Sequence, residues 1–392
     1  MDVITKKCCG IDVHQKKITV TTLIGEASEK PKKLTQTFGT TTRELKLCGE
    51  WLSNQLIEMV LMESTGQYWR PVWQILETFG FQMILCNPRI IKNMPGKKTD
   101  QLDSEWIAEL ARFGLVAASF VPPRAIQELR ESTRTRKSLT QAGTQIKNQI
   151  HNILQRSNIK LTSFVSNIFQ GSGLKLLNLL INGEVINLHS VSKCMHGKMK
   201  ASAQELVDAL DGSLSTNDRI LLDIQLNLLK YNQQAITRLE SNIEEQLIQF
   251  DELYLRLQEI PGVSKHIATI IIAEIGPDVS PFPDAAHLAS WAGVCPGNYE
   301  SAGVSKSSHV RSGNVYLKTA LVTAALGAKS QKDSGLKDFF FRLRTRMGAQ
   351  KALVALSHKL IRIIYAMLSK GSTYIDYKRD QQMQHLLASN KE

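Results

Sequence analysis

The chain changes its hydrophobic rhythm after its first third. Over about the first 120 residues, short apolar or alternating runs predict strands over 8–13, 17–24, 33–39, 57–63 and 81–87. Three- and four-residue apolar steps between them predict helices over 42–54, 68–79 and 100–113. That order makes the first and fourth strands neighbours in a mixed sheet covered by helices. After Pro122-Pro123 the pattern turns helical, with Leu139, Ala142, Ile146, Ile150 and Ile153 on one face of a helix over 124–155. Residues 157–217 hold short helical pieces broken by Gly171, Gly173, Gly183 and Gly212, with no defined chemistry. A second long helix follows over about 216–250, where Leu222, Leu229, Ile236, Ile243 and Phe250 keep a seven-residue spacing. Four heptads argue a coiled coil. Its partner is either the 124–155 helix of the same chain or a second protomer. Three regions result: an α/β domain over 1–123, a basic helical and coiled-coil region over 124–252, and a helical domain over 253–392.

Four acids stand out within this frame. Asp12 ends the run Cys8-Cys9-Gly10-Ile11, and Glu63 ends Met59-Val60-Leu61-Met62 before the turn Ser64-Thr65-Gly66. Asp100 and Asp103 lie three apart at the start of a helical pattern, so their carboxylates share a helix face. Singly, each reads as a solvated strand end or as an acid serving a helix dipole. Together, two strand ends and one helix face bring four carboxylates into one place, which is repulsive unless cations occupy it. Hard oxygen ligands suit Mg²⁺ or Mn²⁺, and two such ions can clamp the attacking and leaving oxygens of a phosphodiester. Glu105 is the nearest impostor. His14 shares the strand face of Asp12, although a satisfied surface histidine is the simpler reading.

Charge points the same way. Lys and Arg total 48 against 36 Asp and Glu, for a formal net charge of +12. A surface more basic still, once the acidic site is set aside, suits nucleic-acid phosphates. The 124–155 helix carries Arg130, Arg134, Arg136 and Lys137 with few acids, a candidate track for a phosphate backbone. Lys97 and Lys98 are placed for phosphate contact beside the acids. Gly96-Lys97-Lys98-Thr99 is not a P-loop, because the second lysine displaces the hydroxyl residue. Six scattered cysteines without a C-x-x-C pair indicate neither a disulfide framework nor a zinc site. No signal peptide and no apolar stretch long enough for a bilayer is read, and with the scattered cysteines a reducing cytoplasm is expected.

The third region opens with Ile260-Pro261-Gly262-Val263-Ser264, which looks like a helix-hairpin-helix turn whose backbone amides face DNA; an ordinary αα-turn fits equally. Further on stand Trp291-Ala292-Gly293, then Tyr299-Glu300-Ser301-Ala302-Gly303, then Arg311-Ser312-Gly313-Asn314. Lys306, His309, Arg311 and Lys318 could neutralise a pentacovalent phosphate near Ser301. On chemistry alone Ser301 is one of several loop serines, and a serine hydroxyl needs activation to attack.

Gly10-Ile11-Asp12-Val13-His14, Met62-Glu63-Ser64-Thr65-Gly66, Lys98-Thr99-Asp100-Gln101-Leu102-Asp103 and the 291–321 segment together resemble the motifs of DEDD transposases. These have an RNase H/RuvC-like N-terminal domain and a serine-containing C-terminal domain. They include Piv-type invertases and insertion-sequence recombinases guided by a bridge RNA. The resemblance implies a recombinase in which Asp12, Glu63, Asp100 and Asp103 bind two divalent ions and Ser301 attacks phosphorus, holding DNA as a phosphoserine. It implies donor and target DNA, a structured noncoding guide RNA and a dimer or tetramer as partners, and no membrane. Val304 and His309-Val310 depart from the residues common in relatives. Two rivals are a Holliday-junction resolvase-like nuclease using water and a non-catalytic nucleic-acid-binding protein.

Overall fold

A computed structural model describes residues 3–88, 103–197, 199–297, 299–301, 304–307, 310, 312–332 and 334–376, with backbone alone for 299–301 and 304–307. It divides into two compact units, Met1–Val121 and Pro122–Glu392.

The first unit is a five-stranded mixed sheet in the order β3-β2-β1-β4-β5. Its strands are β1 (Lys7–Val13), β2 (Lys17–Ile24), β3 (Lys32–Gly39), β4 (Met59–Glu63) and β5 (Gln82–Cys86). β1 runs antiparallel to β2 and parallel to β4, as the order of elements predicts. Both central strands are continuous apolar runs because both faces are covered. One face packs Cys9, Ile11, Val13, Val60 and Met62 against α1 (Thr42–Asn54) and α2 (Trp69–Leu76). The opposite face packs Cys8, Met59 and Leu61 against Ile107, Ala108 and Leu110 of α3 (Asp103–Arg112). β3, on the edge, stays polar and exposed over Lys32–Thr37, as an unpaired edge should.

The second unit is helical apart from one hairpin. Its spine is an antiparallel pair, α4 (Arg124–Arg156) and α9 (Thr216–Leu247). An ion pair joins Arg156 to Asp218 at one end. Asn242 donates to the Ser132 hydroxyl (3.3 Å) toward the other. Between these points Gly143 lets α4 close on Asn232, whose Oδ1 would lie 2.9 Å from a Cβ there. Leu222, Leu229 and Ile243 of the heptad seam are buried, so the seam faces the chain's own α4. The intervening residues form a cluster of short helices, α5 (Leu161–Phe164), α6 (Gly171–Asn182), α7 (Leu188–Cys194) and α8 (Ala203–Leu210). They share a core around Leu176, Leu177, Leu206 and Leu210.

The remainder comprises α10 (Asp251–Gln258), α11 (Lys265–Ile275), α12 (Ala285–Trp291), the hairpin β6 (Tyr299–Ser301) and β7 (Val304–Ser307), then α13 (Val315–Ala328), α14 (Gly335–Met347) and α15 (Ala349–Lys370). The expectation of no membrane-length apolar stretch is corrected by α15, which is long and apolar enough by length and composition alone. Its Leu356, Leu360, Ile361 and Ile364 are buried, because it packs against α12, α13 and α14. Apolar composition here builds a core.

Candidate functional site

The register of β1 decides where its acid lies. Cys8, Gly10 and Asp12 alternate onto the face covered by α3. The Cys8 thiol reaches the Ala108 carbonyl at 3.5 Å. A Cβ on Gly10 would lie 2.2 Å from the Ala108 nitrogen and 2.3 Å from the Ser104 oxygen, so only glycine lets the helix lie this close. The helix is pinned on the same side by Thr21 and Ser104, whose hydroxyls are 2.8 Å apart. Along this face, successive β1 positions meet progressively earlier residues of α3. Asp12 therefore points toward the end at which Asp103 begins the helix.

β4 adds the second strand end. It pairs in register with β1 through Gly10↔Leu61 and Ile11↔Met62, which sets Glu63 beside Asp12 at the next step. Leu61 belongs to the α3-side core, so Glu63, two residues on, faces that side too. Three of the four predicted acids thus begin or end elements at one edge of one face. Asp100, Lys97 and Lys98 lie outside the described residues. Among the described residues no three His, Cys, Asp or Glu side chains are close enough together to hold an ion. The Asp12 carboxylate is 3.0 Å from His14 Nε2, and Glu63 accepts from the Thr65 hydroxyl at 3.2 Å. Glu105 lies apart from this group in its bonding: Lys33 donates to both its oxygens at 2.8 and 2.9 Å.

Ser301 is the last residue of β6 and pairs with Val304; Ala302 and Gly303 lie outside the described residues. Lys306 lies on β7, Lys318 in the first turns of α13, and His309 and Arg311 outside the described residues. A bridge between Pro296 and Val310 closes the base of the hairpin. Below it, Gly313 packs on Gly293, whose nitrogen would lie 2.3 Å from a Cβ. Asn314 then caps α13, accepting from the Tyr316 and Leu317 amides at 3.0 Å each. Its own amide group donates to Glu274 at 2.7 Å.

Glu274 is a residue the sequence did not single out, since a lone glutamate in the apolar run Ile270-Ile271-Ile272-Ala273 carries no motif. It is fully buried at the end of α11. Arg134 grips both its oxygens at 2.9 and 2.8 Å, and Arg130 donates to the Ala273 and Glu274 carbonyls at 3.0 and 2.7 Å. Arg136 pairs with Glu240 of α9 at 2.6 Å. The Lys137 ammonium lies 4.6 Å over the Tyr316 ring. Three cations of the expected phosphate track, Arg130, Arg134 and Arg136, thus each bond an acid or carbonyl of their own unit.

Gly262, in the expected helix-hairpin-helix or αα-turn, adopts φ +88°, and a Cβ there would lie 2.1 Å from the Ala324 oxygen and 2.5 Å from the Ala328 nitrogen. The glycine admits the close approach of α13.

Comparison with known proteins decides the family. Residues 9–159 match the DEDD transposase family of the IS110 type, and residues 254–340 match the transposase IS116/IS110/IS902 family, together more than half of the chain. The chain belongs to the IS110-type transposase family. Among relatives, it is 29% identical over 45% of its length to an uncharacterized 43.6 kDa protein of insertion element IS110 from Streptomyces coelicolor, spanning 46% of that protein. It is 24% identical over 80% of its length to the transposase of insertion sequence element IS1111A from Coxiella burnetii, spanning 79% of it. It is 28% identical over 37% of its length to the pilin gene-inverting protein of Moraxella lacunata, spanning 47% of that protein. In this transposase the first family match ends three residues past α4, and the second covers the segment that carries the serine hairpin.

Proposed function

We propose that this protein is a DNA recombinase of the insertion-sequence type, in which Asp12, Glu63, Asp100 and Asp103 bind divalent metal and Ser301 is the nucleophile. The observation that carries this reading is the adjacency of Asp12 and Glu63 at parallel strand ends, on the face crossed by the helix that starts at Asp103. The donor chemistry suits the metal: Asp12, Glu63 and Asp103 carry carboxylates, hard ligands of the kind Mg²⁺ or Mn²⁺ takes. When bound, two such ions would supply charge neutralisation at the scissile phosphodiester.

The chain's own groups have separable tasks. Asp12 and Glu63 are held by a rigid sheet, and Gly10 fixes the distance between that sheet and the helix of Asp103. Ser301 ends β6, opposite Val304 of β7, and is followed in sequence by the small residues Ala302 and Gly303. In the proposed step the Ser301 hydroxyl loses its proton, its oxygen bonds to phosphorus, and the phosphorus–oxygen bond to one DNA strand breaks, the released oxygen taking a proton. The diester link to serine keeps the energy for rejoining, so no nucleotide triphosphate is required. Support for the RNA-guided, oligomeric form of this activity is the family likeness of the motifs, with donor and target DNA as substrates.

Incubation with end-labelled substrate DNA and Mg²⁺, followed by a denaturing gel, tests the reading. A protein–DNA adduct, lost with chelator, is the expected result. Metal-dependent cleavage that leaves free ends and no adduct would replace it with a nuclease using water. No cleavage of any substrate would leave a binding protein.

A further inference from the structure

The corner between α14 and α15 gathers positive charge, whereas Arg130, Arg134 and Arg136 of α4 are each met by an acid or carbonyl. No acid occurs between Asp338 and Asp376, while Arg342, Arg344, Arg346, Lys351, Lys359, Arg362 and Lys370 fall in that interval. Leu336 and Phe340 turn one side of α14 into the core, so Arg342, Arg344 and Arg346 stand exposed on the rest. Lys351 stands exposed just past the Gly348 bend. Among the described residues none of these four cations has an acidic partner; two of them rest on aromatic rings. Arg342 lies 5.8 Å from the Phe339 ring centre, which Lys359 shares at 4.5 Å, and Arg344 lies 5.7 Å from that of Phe341. Burial, and then the neighbouring Arg342, hold the Lys359 ammonium below its usual range, a sign that like charges crowd here. Asp376, an acid close by, is turned to the start of α14, where it accepts from the Ser334 hydroxyl at 3.0 Å and the Gly335 amide at 3.2 Å.

Crowded cations without counter-charge lower the stability of a folded chain and attract a polyanion. We propose that the α14–α15 corner is a docking surface for duplex DNA, gripping the phosphate backbone through Arg342, Arg344, Arg346 and Lys351. The inference rests on the transposase reading and deepens it by placing a DNA contact almost wholly beyond the segment that matches the family, which ends at residue 340. A duplex backbone is favoured over an unpaired strand because the four cations are exposed whereas, of the three consecutive rings Phe339, Phe340 and Phe341, Phe341 alone is, with Arg344 5.7 Å from its centre. Arginines on a rigid helix suit charge-assisted bonds to phosphate oxygens.

Titration of the full chain with a labelled DNA duplex at several salt concentrations tests this, comparing wild type with the variant R342Q/R344Q/R346Q/K351Q. If counterion release is the only term, four lost contacts lower the log–log salt slope by about three to four and weaken binding on the order of 10²–10³-fold near physiological salt. The pair R346Q/K351Q, at exposed positions that make no ion pair or ring contact among the described residues, should give about half that slope change, and serves if the fourfold variant folds poorly. Unchanged slope and affinity in a folded variant would overturn the proposal. So would loss of binding to a single-stranded RNA with duplex binding intact. Failure of the wild type itself to bind duplex DNA would instead remove the recombinase reading.

Discussion

Arg134 and Glu274 form a two-pronged ion pair, Nε and Nη2 at 2.9 and 2.8 Å from the two carboxylate oxygens, around an acid with no exposed surface. The same acid receives Asn314, the cap of the helix that follows the serine hairpin. A buried carboxylate held by three donors is stable only while all remain. Glu274→Ala leaves Arg134 and Asn314 without their acceptor and should cost about 3–5 kcal/mol, read by urea denaturation. Arg136→Gln, whose partner Glu240 is partly exposed, should cost about 1 kcal/mol or less. Equal, small losses in both would mean the Glu274 pair is as weak as a surface bridge.

Gly10 is the next sensitive position. Gly10→Ala would drive a methyl into the α3 backbone at Ser104 and Ala108. Backbone cannot turn aside as a side chain does, so the helix must move, at a cost of about 1–3 kcal/mol or more. Because Asp103 rides on that helix, activity should fall further than the lost stability explains. A variant with lowered melting temperature but wild-type cleavage at a temperature where it is folded would show that the position of α3 is irrelevant to the site.

The contrast between the two basic helices explains what the sequence could disclose. Strand ends carry their own register: two apolar runs each end in an acid, and the order of strands and helices makes those runs neighbours in the sheet, which puts Asp12 and Glu63 side by side. Helical periodicity told equally well that Arg130, Arg134 and Lys137 share a face. It could not tell what that face meets, because Glu274 and Tyr316 are more than a hundred residues distant in sequence. Gly262 was ambiguous for the same reason, since a glycine that admits phosphate and one that admits Ala324 read alike. Heptad spacing fixed the seam of α9 but left its partner open until Leu229 was seen against Gly143.

The thiols offer a check on the cores. Cys8, Cys9, Cys48, Cys86 and Cys194 are buried, and Cys295 is partly exposed. Burial pushes the Cys8 thiol up to about 11, against a smaller opposing pull from Arg112, and the Cys48 thiol to about 12. Since the thiolate is the reactive form, alkylation of the native protein at mildly alkaline pH should label Cys295 first. The others should react only on unfolding in denaturant. Fast native labelling at Cys8 or Cys48, located by peptide mass analysis, would contradict the packing of α1 and α3 on the sheet.

Asp12→Asn tests the acidic site. Asparagine keeps the shape and removes one charge, so folding should change by no more than about 1 kcal/mol. Cleavage should drop on the order of 10³-fold, the scale seen when one group stabilising a transition state is deleted. Mn²⁺ should restore part of it. Glu63→Gln and Asp103→Asn should behave alike, whereas Glu105→Gln should be mild, because Lys33 already occupies that carboxylate. Wild-type cleavage by Asp12→Asn would remove it from the site.

Ser301 ends β6, paired with Val304, and the residues that follow it in sequence, Ala302 and Gly303, are small. Ser301→Ala deletes one oxygen, so melting temperature and duplex affinity should match wild type. If the serine oxygen bonds to phosphorus, adduct and strand exchange vanish together. Ser305 and Ser307, on the opposite strand of the hairpin, should not substitute, because in-line attack tolerates little displacement. Ser301→Cys should retain at most a trace, since a thiolate is nucleophilic but a softer partner for an oxygen-tuned site. Mass analysis of a trapped wild-type adduct should place the nucleotide on the peptide containing Ser301. A nucleotide on another serine would keep the recombinase and move its nucleophile. Native-rate cleavage by Ser301→Ala with free ends would make water the attacking group and leave the hairpin a structural or DNA-contacting element.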